Sequence, residues 1–113
     1  MTKLTSLDLE KVAITEEYKD KYMNAIATLI NLDTIYMYYC GITDEHTSMF
    51  DNLTKLKYLG LGMNDISNID FLLKHKEILE HASLNGFDLD NEDVRVIEQL
   101  TNLVILDVRE GSI

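Results

Sequence analysis

The chain of 113 residues contains no proline, no tryptophan, one cysteine and only five glycines. Because no proline-rich or glycine-rich stretch interrupts it, a single domain covering residues 1–113 is expected. A lone cysteine forms no intramolecular disulfide, which is usual for proteins of reducing compartments. No apolar run approaches the roughly 18 residues of a membrane-spanning helix, and the N-terminus lacks the apolar stretch of a signal peptide. These absences predict a soluble, cytoplasmic protein without membrane contact.

Positive charge is also scarce. Ten Lys and Arg residues stand against twenty Asp and Glu residues, giving a formal net charge of -10. Direct binding to nucleic acid needs basic patches, so it is not expected. A basic protein partner is compatible with this balance, although solubility alone is the simpler explanation.

What the sequence does contain is a repeat. A pattern of apolar, any, apolar residues recurs five times, with first members 28, 24, 23 and 24 residues apart. The pairs are Leu7/Leu9, Ile35/Met37, Leu59/Leu61, Ala82/Leu84 and Leu106/Val108. A leucine stands three residues before each pair, at Leu4, Leu32, Leu56, Leu79 and Leu103. Self-similarity at this period is typical of stacked repeats.

The segment from Leu56 to Ile66, LKYLGLGMNDI, resembles the L-x-x-L-x-L-x-x-N-x-I pattern of leucine-rich repeat proteins. The segments between the pairs resemble the helical, ribonuclease-inhibitor-like branch of that family. The resemblance implies an α/β, right-handed solenoid of about five repeats, with a parallel concave sheet and convex helices. It also implies that Asn64 hydrogen-bonds turn backbone, and that Cys40 substitutes for asparagine one repeat earlier.

Polar residues that favour helix starts follow the last apolar position of four of the repeats. They are Thr15, Thr43, Ser67 and Asp90. Acidic residues come next, where the positive end of a helix dipole stabilises them. A short convex helix is therefore expected after each of these residues, although the third convex segment, from Ile69 to His75, is shorter and is expected to be barely helical.

The repeat phase also decides which side chains face outward. Ile35 and Met37 are in phase with the core leucines, so Tyr36 and Tyr38 lie on the concave face. Gly60 and Gly62 are expected to leave a depression beside this aromatic wall. Tyrosine is enriched at protein interfaces, although β-strands also favour it for packing alone. The predicted partner-binding residues are Tyr36, Tyr38, Tyr39, Tyr58, Met63, His81, Asn85, Asp107 and Arg109.

Two functions follow as hypotheses. The first is a non-enzymatic protein–protein interaction module that binds a protein through the tyrosine-rich concave face. The alternative is a small acidic inhibitor, of viral or mobile-element type, of a nucleic-acid-binding enzyme such as a host defence nuclease. Its acidic surface would be Asp88, Asp90, Glu92 and Asp93. This run does not fit a calcium loop, since Asp93 and Gln99 stand where glycine and glutamate are required.

No catalytic chemistry is evident. His46, His75 and His81 share no metal-ligand spacing with each other or with Cys40. There is no phosphate-binding loop and no nucleophile elbow. We therefore expect no enzyme activity, no metal and no cofactor.

The last strand, VILDV over residues 104–108, is predicted to be an exposed apolar edge. Three interpretations are open: a homodimer formed through this edge, a segment of a longer protein, or a small protein whose partner covers the edge. Because the repeats begin close to Met1, the sequence favours a complete small protein.

Overall fold

The computed structural model describes residues 3–108. Five parallel strands form one sheet in chain order. They are β1 (Ser6–Glu10), β2 (Thr34–Tyr38), β3 (Tyr58–Gly60), β4 (His81–Ser83) and β5 (Ile105–Asp107). The register aligns Leu7 with Ile35, Ile35 with Leu59, Leu59 with Ala82 and Ala82 with Leu106. The predicted α/β solenoid and its repeat phase are confirmed.

The core lies between the sheet and the convex segments. Side chains of the middle repeats are fully buried, including Leu32, Ile35, Met37, Leu56, Leu59, Leu61, Leu79 and Leu84. The equivalent residues of the outer repeats are only partly buried, namely Leu7, Leu9, Leu106 and Val108. The core residues of a repeat are covered by the repeats on both sides. An outer repeat has one such neighbour, so one side of its core residues stays exposed.

Within the described residues, the convex side carries four short helical segments, of which two are 3₁₀ rather than α. The segments are α1 (Lys19–Ala27), two 3₁₀ helices (Thr47–Phe50 and Asp70–His75) and α2 (Asp93–Ile97). The longest helix lies in the first repeat, which is also the longest. A 3₁₀ helix advances about 2.0 Å per residue, against about 1.5 Å for an α-helix. The shorter repeats therefore cover the distance from the end of one strand to the start of the next with fewer residues.

Two of the predicted helix-start residues accept backbone hydrogen bonds. The Asp90 carboxylate accepts the N–H groups of Glu92 and Asp93 at 2.9 and 3.3 Å. The Thr43 hydroxyl accepts the Glu45 N–H at 3.3 Å. Short polar side chains thus satisfy amides that have no partner inside the following helix.

The expectation for Ser67 was wrong. Its hydroxyl donates to Asp44 at 2.7 Å, and the amide oxygen of Asn68 instead accepts the Asp70 N–H at 2.8 Å. Asp44 lies one repeat earlier and also accepts the N–H groups of Ser67 and Asn68, at 3.1 and 3.0 Å. Ser67 therefore links two neighbouring repeats through hydrogen bonds to Asp44.

We expect Asp44→Ala to lower the free energy of unfolding by about 1–2 kcal/mol, because three hydrogen bonds are replaced by contacts with water. Burial alone would raise the Asp44 pKa, but the bonds from Asn68 and Ser67 outweigh it and lower that pKa. The stabilisation is therefore fully present above the ordinary aspartate pKa of about 3.9 and lost as pH falls through the lower folded-state value. Urea unfolding of both proteins at neutral and acid pH measures this. An equal difference at both pH values would contradict it.

Asn64 is buried in the turn after β3. Its amide oxygen accepts the N–H groups of Cys40 and Ile42 at 2.9 and 3.0 Å. Its amide nitrogen donates to the carbonyl oxygens of Met37 and Leu61 at 2.8 and 2.9 Å. The role implied for this asparagine by the family pattern is confirmed.

Cys40 takes part of the same role one repeat earlier. Its thiol donates to the carbonyl oxygen of Leu9 at 3.2 Å. Leu9 stands in register with Met37, whose carbonyl accepts the equivalent bond from Asn64. Burial raises the pKa of the Cys40 thiol, so it keeps the proton that this bond requires.

In the first four repeats, one residue just after the strand adopts a left-handed backbone, and Gly41 does so as well in the second repeat, with a φ of 74°. These residues are Lys11, Tyr39, Met63 and Gly86, with φ values of 59°, 55°, 61° and 82°. Three of them carry side chains, although this conformation normally favours glycine. The repeat phase did not predict it.

Within residues 3–108 no helix is both long and apolar enough to cross a membrane.

Candidate functional site

The concave face presents outward side chains in rows that run across the strands. The middle row consists of Asp8, Tyr36, Gly60, Ser83 and Asp107. The lower row consists of Ser6, Thr34, Tyr58, His81 and Ile105. Glu10 and Tyr38 begin an upper row, which Gly62 and Asn85 continue beyond the regular strands. Thr34 and Tyr58 are direct neighbours across β2 and β3.

Both glycines are covered by tyrosine rings. A Cβ atom at Gly60 would lie 2.5 Å from Cδ1 of Tyr36, and one at Gly62 would lie 3.3 Å from Cδ2 of Tyr38. The expectation that the glycines leave empty space beside an aromatic wall is therefore only half correct. The rings fold down over the glycines, so the absence of a Cβ allows ring and backbone to approach closely.

A depression of about 350 Å³ remains beside these rings. Asp8 and Glu10 lie on one side of it, and Asp107 lies on the other. Asp8 and Glu10 are exposed, and neither forms an ion pair within the part of the chain that the structure describes. These two acids were not predicted as site residues, although their register with Tyr36 and Tyr38 follows from the repeat phase.

The tyrosines do not form one cluster. The rings of Tyr38 and Tyr39 lie 6.4 Å apart, whereas Tyr58 makes an edge-on contact with His81 at 6.2 Å. Tyr39 is the most exposed of the four, at 59%. The predicted residues thus form two aromatic pairs on either side of Tyr36.

The remaining predicted residues extend the face toward β5. Met63 lies over Gly86, where a Cβ atom would come within 2.7 Å of its sulfur. The Asn85 side-chain amide is 3.4 Å from the Asp107 carboxylate and 3.4 Å from the Ser83 hydroxyl. Arg109 lies outside the described residues.

The alternative acidic surface is partly used for local structure. The Asp93 carboxylate accepts the Asp90 N–H at 2.8 Å, which complements the bonds that Asp90 makes to the following turn. Asp88 and Glu92 are exposed. Much of this acidity therefore stabilises the start of α2.

A second depression, of about 470 Å³, lies beside the turns that follow the strands. Its acids include Glu16, Asp44, Glu45 and Asp65. Lys19 pairs with Glu16 and Glu45 at 3.5 and 3.0 Å. Among residues 3–108 no group of three His, Cys, Asp or Glu side chains is arranged to hold a metal ion.

Exposed apolar side chains lie just before and at the start of β5. Val104 and Ile105 are 77% and 51% exposed. Within the described residues β5 pairs only with β4. A homodimer through this strand remains a prediction.

Comparison with known proteins places the fold. No protein-family model matches the sequence, and no curated protein matches it. Among solved structures, an internalin (inlF) from Listeria monocytogenes str. 4b F2365 is similar, with a TM-score of 0.82 and 34% sequence identity. The match covers 98% of this chain and 30% of the internalin, so the chain spans less than a third of that protein's length.

The in-phase parallel strands, the asparagine-capped turn and this structural similarity agree with one another. The chain is a leucine-rich repeat protein.

Proposed function

We propose that this leucine-rich repeat module is non-enzymatic and binds a protein partner through its concave face, with Tyr36, Tyr38, Tyr39 and Tyr58 as the main contacts. The observation that carries the proposal is the packing of Tyr36 and Tyr38 onto Gly60 and Gly62. Rings held against the sheet lose little further freedom when a partner covers them. They offer a large amphipathic surface that is already in place.

Exposure supports the same interpretation. Tyr38, Tyr39 and Tyr58 are 39%, 59% and 37% exposed, on the face that repeat proteins use for extended binding surfaces. Aromatic side chains of this kind commonly dominate the free energy of binding at protein interfaces. Met63, His81, Asn85, Asp107 and Arg109 are proposed to surround this centre.

The test is affinity capture from a lysate of the source organism, followed by calorimetry with the purified partner. We expect Tyr36→Ala/Tyr58→Ala to weaken binding at least about thirtyfold, which corresponds to about 2 kcal/mol. Tyr58 is exposed and Tyr36 is half-buried on the concave face, outside the hydrophobic core, so the thermal midpoint is expected to stay within a few degrees.

The matched control is Tyr18→Ala/Val94→Ala. These side chains are 46% and 49% exposed and lie on the convex segments. The control is expected to bind like the wild-type chain. Equal affinities for all three proteins would rule out the concave face as the binding site.

The acidic inhibitor remains the alternative, supported by the net charge of -10. Repeating the calorimetry with the wild-type chain and the tyrosine variant, each at low and high salt, separates the two, because exposed charges are screened over about 10 Å at 0.1 M salt. Binding that survives the tyrosine changes but is lost at high salt would favour the inhibitor and the surface of Asp88, Asp90, Glu92 and Asp93. The cytoplasmic location likewise stays a prediction.

A further inference from the structure

We infer that the concave depression recognises an arginine side chain of the partner, held by Asp8 and Glu10 with the rings of Tyr36 and Tyr38. This inference rests on the proposed function, because it specifies the chemistry of the same face. The partner is therefore expected to present a basic segment that contains arginine.

The pairing of acid and ring is built by the strand register. Asp8 on β1 is directly opposite Tyr36 on β2, and Glu10 is directly opposite Tyr38. Adjacent strands are about 4.8 Å apart, so each acid and the tyrosine opposite it project from the same face. The rings of Tyr36 and Tyr38 lean away from β1, toward Gly60 and Gly62. Two such pairs follow one another along the strands, both at the edge of the same depression.

Charge complementarity selects a cation. Asp8, Glu10 and Asp107 line the depression, and no Lys or Arg among the described residues does so. Some acids elsewhere have a cation as partner: Glu16 and Glu45 pair with Lys19, and Asp51 pairs with Lys74. Asp8 and Glu10 have no such cation within residues 3–108. The concave face therefore carries negative charge that a bound cation would neutralise.

The geometry favours arginine over lysine. A guanidinium group is planar, so it can stack on a tyrosine ring while its N–H groups bind a carboxylate in a bidentate manner. A lysine ammonium group is a compact, strongly hydrated charge and cannot use a flat ring and a carboxylate in the same way. Tyr36 and Tyr38 are suited to stacking, because each ring lies against the backbone of a glycine, Gly60 or Gly62.

The probes are three acetylated and amidated glycine pentapeptides that differ only in two residues, which are arginine, lysine or citrulline. Each is titrated into the ¹⁵N-labelled full chain while backbone amide shifts are followed by NMR. We expect saturable shifts at Asp8, Tyr36 and Gly60 with the arginine peptide. The lysine peptide is expected to bind several-fold more weakly, and the uncharged citrulline peptide at least tenfold more weakly.

Asp8→Asn/Glu10→Gln is expected to weaken binding of the arginine peptide at least tenfold. The matched control, Glu77→Gln/Glu98→Gln, removes the same charge from two exposed acids away from the concave face and is expected to change affinity less than twofold. The amide spectrum of each variant reports directly on its fold. Equal weakening by both pairs, shifts located elsewhere, or equal binding of arginine and citrulline peptides would overturn the inference.

The two proposals can fail separately. If Tyr36→Ala/Tyr58→Ala abolishes binding of the partner but Asp8→Asn/Glu10→Gln leaves it unchanged, the binding face stands and the arginine site is wrong. If the tyrosine changes leave partner binding intact, the proposed function fails first.

Discussion

Asn64→Ala is expected to lower the free energy of unfolding by about 3–5 kcal/mol, a large part of the roughly 5–15 kcal/mol typical of a domain. The substitution leaves the N–H groups of Cys40 and Ile42 without their acceptor, and the carbonyls of Met37 and Leu61 without a donor. Asn64 is only 6% exposed, so water does not readily replace these bonds. Chemical denaturation measured by circular dichroism gives the difference directly.

Asn52→Ala is the matched control, because Asn52 is an exposed asparagine in the same part of the chain. It is expected to change stability by less than about 0.5 kcal/mol. A loss below about 1 kcal/mol for Asn64→Ala would show that the turn rearranges to satisfy its own backbone.

Gly60→Val is expected to weaken partner binding about thirtyfold or more, given that one well-placed aromatic ring contributes roughly 2 kcal/mol. The new side chain would occupy the space now taken by the Tyr36 ring, whose Cδ1 lies 2.5 Å from the Cβ position. It would both displace that ring and fill the depression. Gly60 is not in the left-handed region, and valine is favoured in strands, so the fold should persist.

Gly62→Ala serves as the comparison, because its Cβ would lie at a more tolerable 3.3 Å from Tyr38. We expect it to reduce affinity severalfold at most. Nuclear Overhauser contacts of the Tyr36 ring would show whether the ring has moved. A displaced ring with unchanged partner affinity would mean that Tyr36 makes no important contact.

The sheet could be predicted from the sequence because the phase of the apolar repeat determines three things at once: where each strand lies, how neighbouring strands are aligned, and which side chains face outward. Ile35 and Met37 are buried as expected, and Tyr36 and Tyr38 face outward. Asn64 could be assigned because its role depends on a fixed position in the repeat.

Features that depend on a choice between alternative hydrogen-bond partners, rotamers or helix types could not be predicted in this way. Ser67 and Asn68 are both good helix-start residues, and only the position of Asp44 decides that Ser67 binds across repeats. Likewise, phase places Tyr36 beside Gly60 but does not specify its rotamer. The choice between α and 3₁₀ helix depends on the distance to be spanned, which the apolar pattern does not contain.

The strand order also determines how the molecule opens. Each strand pairs only with its neighbours in the chain, so within the described residues β1 has one partner while β2 has two. In such a linear array the end units fray first. The proposed arginine site lies across this boundary, with its carboxylates on β1 and its rings on β2. A bound guanidinium would therefore connect the first repeat to the second. Part of its binding free energy would stabilise the pairing of β1 with β2, so the first repeat would unfold locally more slowly.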